Sequence, residues 1–447
     1  MNNGRRTSSS VQSPDFYQLA FAPDDDLFGD DNCQGDQSTN TSSISLMSQE
    51  RITEQCEDLS KINLSKKNSF SHQLTSHTGF VKILDINEFV NRLVYGLKSA
   101  AITVIEPNLP AHIIFGALRL YDKENDEVGF TECFSQIHDA IKEMLSEESS
   151  FEIVLFWLTS SLKLLNLLRQ YSTEDENVKE EWFEKNTDVQ KIQRLQKVDG
   201  ESFRRQLEAR IESGYQCLLK KHVEPVLIPK IVPAILMHDA TKSNSFEDKG
   251  LASLLNYMTS IISSLKSMSA DEDLIKQIFC QLTQWLSSLA LNQMMFRKDL
   301  CTFEKAVVIK HNVVELEDWL KTNKFGEFCV FLNPLIQACH LLQSQKTPNN
   351  IETLSGEMTD DLKPKQIISI LKHYTPSIDF EEEEPSEDFL EALETELNKR
   401  EDGNKELVMA GTYVIPLDLS KFIYSNVNLE TISLPGCLRL GKACRLI

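Results

Sequence analysis

The chain has 447 residues, enough for two or three lobes or for one elongated helical domain with a tail. Lys and Arg number 46 against 67 Asp and Glu, a formal net charge of −21. That balance excludes nucleic acid as the main partner, because neutralising phosphates needs a basic surface. Hydrophobic residues make up 41%, sufficient for a sizeable core, and the 10 cysteines form no C-x-x-C pair. They read as small core residues in a reducing, cytoplasmic setting.

The opening MNNGRRTSSS lacks the apolar centre of a secretory signal. Residues 1–78 are rich in Ser, Asn, Gln, Asp and Thr without sustained apolar periodicity, so the segment is expected to be disordered. Within it, Arg5-Arg6-Thr7-Ser8 has the form that basophilic kinases accept. Residues 24–31 form an acidic tract around Leu27 and Phe28, suited to a basic-rimmed groove. A solvated tail is the simpler reading of both.

The character changes at Gly79. Asp85 precedes a segment with Phe89, Leu93, Val94 and Leu97 at helical spacing, and Pro110 opens a helix in which its missing N–H is not needed. Ser149 and Glu152 have capping-box spacing before an apolar helix reaching about Tyr171, which should be central. Residues 173–202 are charged, a helix is expected over 203–222, and Pro225, Pro229 and Pro233 should break up the next stretch. Residues 241–249 read as a loop between two helical halves.

Ser269 and Glu272 have the spacing of a second capping box, opening a helix to about Phe296. The apolar run 280–296 is interrupted by Gln281, Gln284, Asn292 and Gln293 and is shorter than the roughly 20 residues of a membrane span, so it reads as a buried helix. Asn312 is placed to cap a helix carrying Val313, Leu316 and Trp319. Further helices are expected over 329–345 and 364–373, and an acidic one has Phe389, Leu390, Leu393 and Leu397 on one side. The last 40 or so residues are apolar but not helical, which suggests a strap laid across the helices.

A search for chemistry finds none. No H-x-x-x-H or H-E-x-x-H spacing occurs, and adjacent Cys339 and His340 diverge by about 100° on a helix. There is no P-loop, no G-x-G-x-x-G and no G-x-S-x-G. Cys444-Arg445-Leu446-Ile447 has the outline of a prenylation box, but Arg445 stands where an aliphatic residue is preferred. The expectation is a binding module without catalytic residues, cofactor or metal and without membrane insertion.

Several segments, in order, resemble the globular cargo-binding tail of class V myosins, the dilute domain. They are FVNRLVYGLK (89–98), NLPAHIIFGALRLYDKEND (108–126), FEIVLFWLTSSLKLLNLLRQYS (151–172), LNQMMFRKDLCTFEKAVVIKHNVVELEDWL (291–320), PLIQACHLLQ (334–343) and QIISILKHYTP (366–376). The resemblance implies an all-α, elongated, two-lobed helical bundle: a disordered segment 1–78, a first lobe 79–240, a second lobe 241–400, and a strap 401–447 returning across the first lobe. It also implies cytoplasmic, non-enzymatic binding of Rab GTPases and of vesicle or organelle adaptors for actin-based transport, and docking to a myosin motor head. Family positions for a Rab-type patch fall at His311, Gln343 and Tyr374, with His311 replacing a tyrosine. A head-docking lysine falls at Lys298, while its companion falls at Ser369, so half of that clamp is missing. The alternative is a dilute-domain scaffold at cell junctions, of afadin type.

Overall fold

Asp85 starts the order: its carboxylate accepts the Glu88 N–H at 3.0 Å and caps α1 (Ile86–Val90), which continues as a π turn, Asn91–Tyr95. The computed structural model describes residues 79–97, 102–171, 194–198, 200–240, 250–377, 383–400, 407–409, 411, 413–422 and 433–447. All belong to one compact unit, Ser76–Ile447. The expected disordered segment 1–78 lies outside them, with Arg5–Ser8 and the tract 24–31, as does the loop 241–249.

Helix α2 (Leu109–Glu124) begins after Asn108, whose left-handed backbone (φ 70°) turns the chain into it, with Pro110 in the first turn. Asp126 caps α3 (Glu127–Met144). Helix α4 (Phe151–Gln170) has apolar residues nearly all round and packs against α2, α3 and α5 (Glu201–Cys217). By length and composition alone α4 could cross a membrane, but its side chains are mostly buried within the protein. Its cap is Ser150, which accepts the Ile153 N–H, and not Ser149; Ser149 instead donates to the Glu143 carbonyl. Of two adjacent serines, the cap is the one directly preceding the helix in extended conformation.

The three prolines do not break the chain. Helix α5 runs through a π segment (Leu218–Val223), α6 (Glu224–Ile231) and a second π segment (Val232–Met237). Pro225, Pro229 and Pro233 are all exposed, while Val223, Leu227, Ile231, Ala234 and Ile235 are buried. Wider π turns beside the prolines relieve the clash of ring with preceding carbonyl, and burial of the opposite side holds the helix together.

The rest is α7 (Gly250–Ser267), α8 (Glu272–Phe296), a 3₁₀ turn (Lys298–Leu300), α9 (Phe303–Thr322), a 3₁₀ segment (Gly326–Leu332), α10 (Asn333–Gln343), α11 (Ile351–Ser355), α12 (Pro364–Lys372) and α13 (Glu387–Leu397). Two capping expectations fail here. Ser269 adopts φ 51° and closes α7, so Asp271 caps α8 through the Asp273 N–H. Asn312 caps nothing: α9 starts at Thr302, whose hydroxyl accepts the Lys305 N–H, and Asn312 lies buried in mid-helix. Its amide donates to the carbonyls of Ile235 (3.1 Å) and His238 (2.8 Å), tying α9 to the end of the second π segment, where backbone acceptors lack helical partners.

Asp122 does similar work in α2, accepting the N–H groups of Gln196, Lys197 and Val198 at 2.8–2.9 Å. The C-terminal residues form β2 (Cys444–Leu446), antiparallel to β1 (Val81–Ile83) with Val81 opposite Leu446. Gly116 lets β1 lie on α2, since a Cβ there would sit 2.8 Å from the Gly79 carbonyl oxygen.

Both the Asn312 bridge and the burial of α2 can be tested by denaturation. Asn312→Ala strands two buried carbonyls and should lower stability in urea by about 2–4 kcal/mol; an unchanged midpoint would contradict the bridge. The pKa of His112 on α2 is held down to about 4 by burial and then by the charge of Lys163. Between pH 4 and its unfolded value of about 6.5, the unfolded chain binds the extra proton, so stability rises with pH across that window and is flat above it. Going from pH 7 to 5 should cost about 2 kcal/mol through this group, and His112→Gln should remove that loss in paired urea titrations.

Candidate partner-binding surface

Lys298 occupies the 3₁₀ turn between α8 and α9, above the buried pair Leu300 and Cys301. Its neighbour Asp299 is engaged by Arg297 through two bonds, Nε–Oδ1 at 3.1 Å and Nη2–Oδ2 at 2.6 Å. That pairing raises the guanidinium pKa and lowers the carboxyl pKa. Lys298 is exposed and has no ion pair among the described residues. Below it, the Cys301 thiol donates to the Met294 carbonyl, and burial pushes its pKa up to about 12. Ser369, where the resemblance implies a second lysine, donates its hydroxyl to the Met295 carbonyl at 2.9 Å and fastens α12 to α8.

Helices α9 and α10 run antiparallel: Lys310 lies against His340, whose pKa falls by burial and then by that charge, and Cys329 reaches the Glu317 carbonyl further along α9. His311 is exposed on α9 between Val307 (47% exposed) and Val314 (41%), one helical face at i, i+4 and i+7. Gln343 ends α10 and is half-buried. Tyr374 lies just beyond α12 and is only 4% exposed, its ring covered by the Lys346 ammonium 3.5 Å from the centroid. The next residue anchors it: Thr375 N–H donates to the Cys301 carbonyl at 2.9 Å.

Gln343, Lys346 and Tyr374 therefore gather where α10 and α12 end beside the start of α9. His311 stands eight residues into α9, roughly 12 Å along its axis. The Tyr374 ring belongs to the core, covered by half-buried Lys346, whose ammonium also donates to the Leu342 carbonyl. Sequence reasoning misses Lys346 because nothing local marks a lysine that will lie on a tyrosine 28 positions away. The Val307, His311 and Val314 stripe is visible as spacing but not as exposure. Among the described residues no cluster of His, Cys, Asp and Glu could hold a metal. What the surface offers is apolar area, an imidazole, an amide and lysines, the means of protein recognition.

Residues 277–378, from within α8 to just beyond α12, match the DIL domain. The chain is 31% identical over 383 residues to unconventional myosin-Va of Homo sapiens and 29% over 382 residues to human unconventional myosin-Vc, in each case across 81% of this chain. It spans about a fifth of the length of those relatives (20% and 21%). The yeast myosin 5 cargo-binding domain shares the fold with a TM-score of 0.61 at 18% identity, covering 79% of this chain and 92% of that one. The Myo2 globular tail in complex with Smy1 gives 0.59 at 18% (80% and 93%), and with Inp2 0.56 at 19% (80% and 97%). The chain carries a dilute domain within a nearly all-helical tail fold. It belongs to the class V myosin globular tails.

Because Tyr374 is core, Tyr374→Ala should cost about 3 kcal/mol in chemical denaturation, while Tyr374→Phe stays within about 1 kcal/mol. A stable alanine variant would return the ring to the surface.

Proposed function

We propose that the chain is a non-enzymatic cargo-binding tail of myosin V type, recognising adaptor proteins on vesicles or organelles, and Rab GTPases, for actin-based transport. It works in the cytoplasm, on vesicles or along actin. The observation that carries this reading is the likeness to myosin-Va, 31% identical across 81% of this chain, together with the DIL domain. The Myo2 tail solved with Smy1 and with Inp2 supports adaptor proteins as the partner class. His311 and Gln343, with Val307 and Val314, are the proposed Rab-type contact, and Tyr374 acts there by supporting Lys346.

Lys298 is the proposed contact for a myosin motor head. Arg297 occupies Asp299 and Ser369 carries no charge, so this single exposed ammonium makes a weak attraction that salt screens.

Affinity purification from cells with mass spectrometry tests the reading. Recovery of Rab proteins and vesicle adaptors supports it, whereas recovery of junctional membrane proteins in their place would favour the afadin-like scaffold. With a recovered Rab in hand, Gln343→Arg should weaken binding at least tenfold, about 1.4 kcal/mol, by placing an unpaired charge in the interface. Melting should stay within a degree or two. Unchanged affinity discards the patch, and a collapsed melt makes Gln343 structural.

A further inference from the structure

Met409, Gly411, Tyr413, Ile415 and Asp418 lie along one stripe of α8, and side-chain amides hold the backbone of four of them. Gln277 donates to the Asp418 carbonyl and accepts the Asp418 N–H; Gln281 donates to the Tyr413 carbonyl and accepts the Ile415 N–H. Asn292 does both with Met409, and the Trp285 indole N–H adds a second bond to the Tyr413 carbonyl. Gln366 of α12 donates to the Leu407 carbonyl. From α4, buried Arg169 donates to the Leu419 carbonyl at 2.8 Å while paired with Glu208 of α5.

These contacts read peptide groups, which every sequence supplies, rather than side chains. From Asn292 back to Gln277, α8 covers roughly 22 Å, matched by residues 409–418 at about 2.5 Å each, nearer extended than helical spacing. Side-chain selection is strongest at three anchors, while Leu407, Met409, Val414 and Leu419 pack half-buried against the core. A Cβ on Gly411 would lie 2.6 Å from Leu289 Cδ2, so any side chain here must push the half-buried Leu289 aside and glycine is favoured. Leu417 and Phe422 are buried at 5% and 1% exposure, whereas Tyr413 is 53% exposed.

We propose that this stripe of α8 is a binding groove for extended peptides with the pattern Gly-x₅-Leu-x₄-Phe, filled in cis by the strap and open to such a peptide in trans once the strap is loosened. Tethering presents the strap at an effective concentration on the order of millimolar, so an untethered peptide cannot compete while the strap is sound. Loosening one anchor removes that advantage and leaves the groove intact.

The test uses the full chain and a fluorescent peptide of residues 405–424. The wild-type chain should show no saturable binding at micromolar concentrations, whereas Gly411→Val, whose own strap is crowded by Leu289 and seats less well, should bind at least tenfold more tightly. A peptide carrying the same glycine-to-valine change should not bind. Gln281→Ala with Asn292→Ala, added to the Gly411→Val chain, should abolish binding. Should Gly411→Val lose its cooperative melt, Leu417→Asp loosens the strap from the other anchor. Cooperatively melting variants that bind no better than wild type overturn the proposal. So does binding that survives loss of Gln281 and Asn292, or wild-type binding as tight as the variant's.

Discussion

Helix α8 has 25 residues, and its buried side chains lie on every side, including the indole of Trp285 and the amide of Gln281, both 0% exposed. Burying such polar groups unbonded would cost more than the surrounding apolar contacts return. Neighbouring helices α6, α10 and α12 and the 3₁₀ segment Gly326–Leu332 cover most of the helix with apolar side chains. The remaining stripe needs acceptors and donors, and an extended chain provides them in strict alternation. The strap therefore completes the core. The same strap reaches Arg169 on α4, and the chain ends in β2 against β1.

Element positions are largely legible because apolar periodicity is strong in α2, α4, α8 and α12. The misses have local causes. At Ser149 and Ser269 a cap signal is present, but a neighbouring residue takes the role; at Ser269 the preceding helix uses its left-handed backbone first. The sequence puts the start of α9 ten residues late because Thr302 leads into a weakly patterned first turn, while Asn312 looks like a cap and is a tertiary bridge. Proline as a helix breaker is overridden by one-sided burial and π geometry. The glutamines and asparagine that interrupt the run 280–296 speak against a membrane span. Gln281 and Asn292 are also strap-holding groups, something composition cannot reveal without knowing what lies opposite.

Recognition positions are less legible than the fold, because exposure depends on distant residues. His311 and Lys298 lie on the surface, as a contact role requires, whereas Tyr374 is sealed by Lys346. A tyrosine sealed this way supplies little contact area, so the aromatic that the resemblance implies at this face is drawn into the core. With His311 standing where the resemblance implies a tyrosine, the face is more polar than the resemblance implies.

The two proposed recognition surfaces differ in what a sequence change would do to them. On α9 the proposed contact consists of side chains, so replacing one residue would alter which partner is preferred. Along α8 the bonds go to peptide groups, so changes at the exposed positions of the bound segment are tolerated and discrimination falls chiefly on Gly411, Leu417 and Phe422. The first mode suits selection among related globular partners. A backbone-reading groove suits segments that share a spacing and little else. Between the anchors the strap mixes half-buried Val414 and Ile415 with exposed Tyr413, which faces solvent while its carbonyl holds both Gln281 and Trp285.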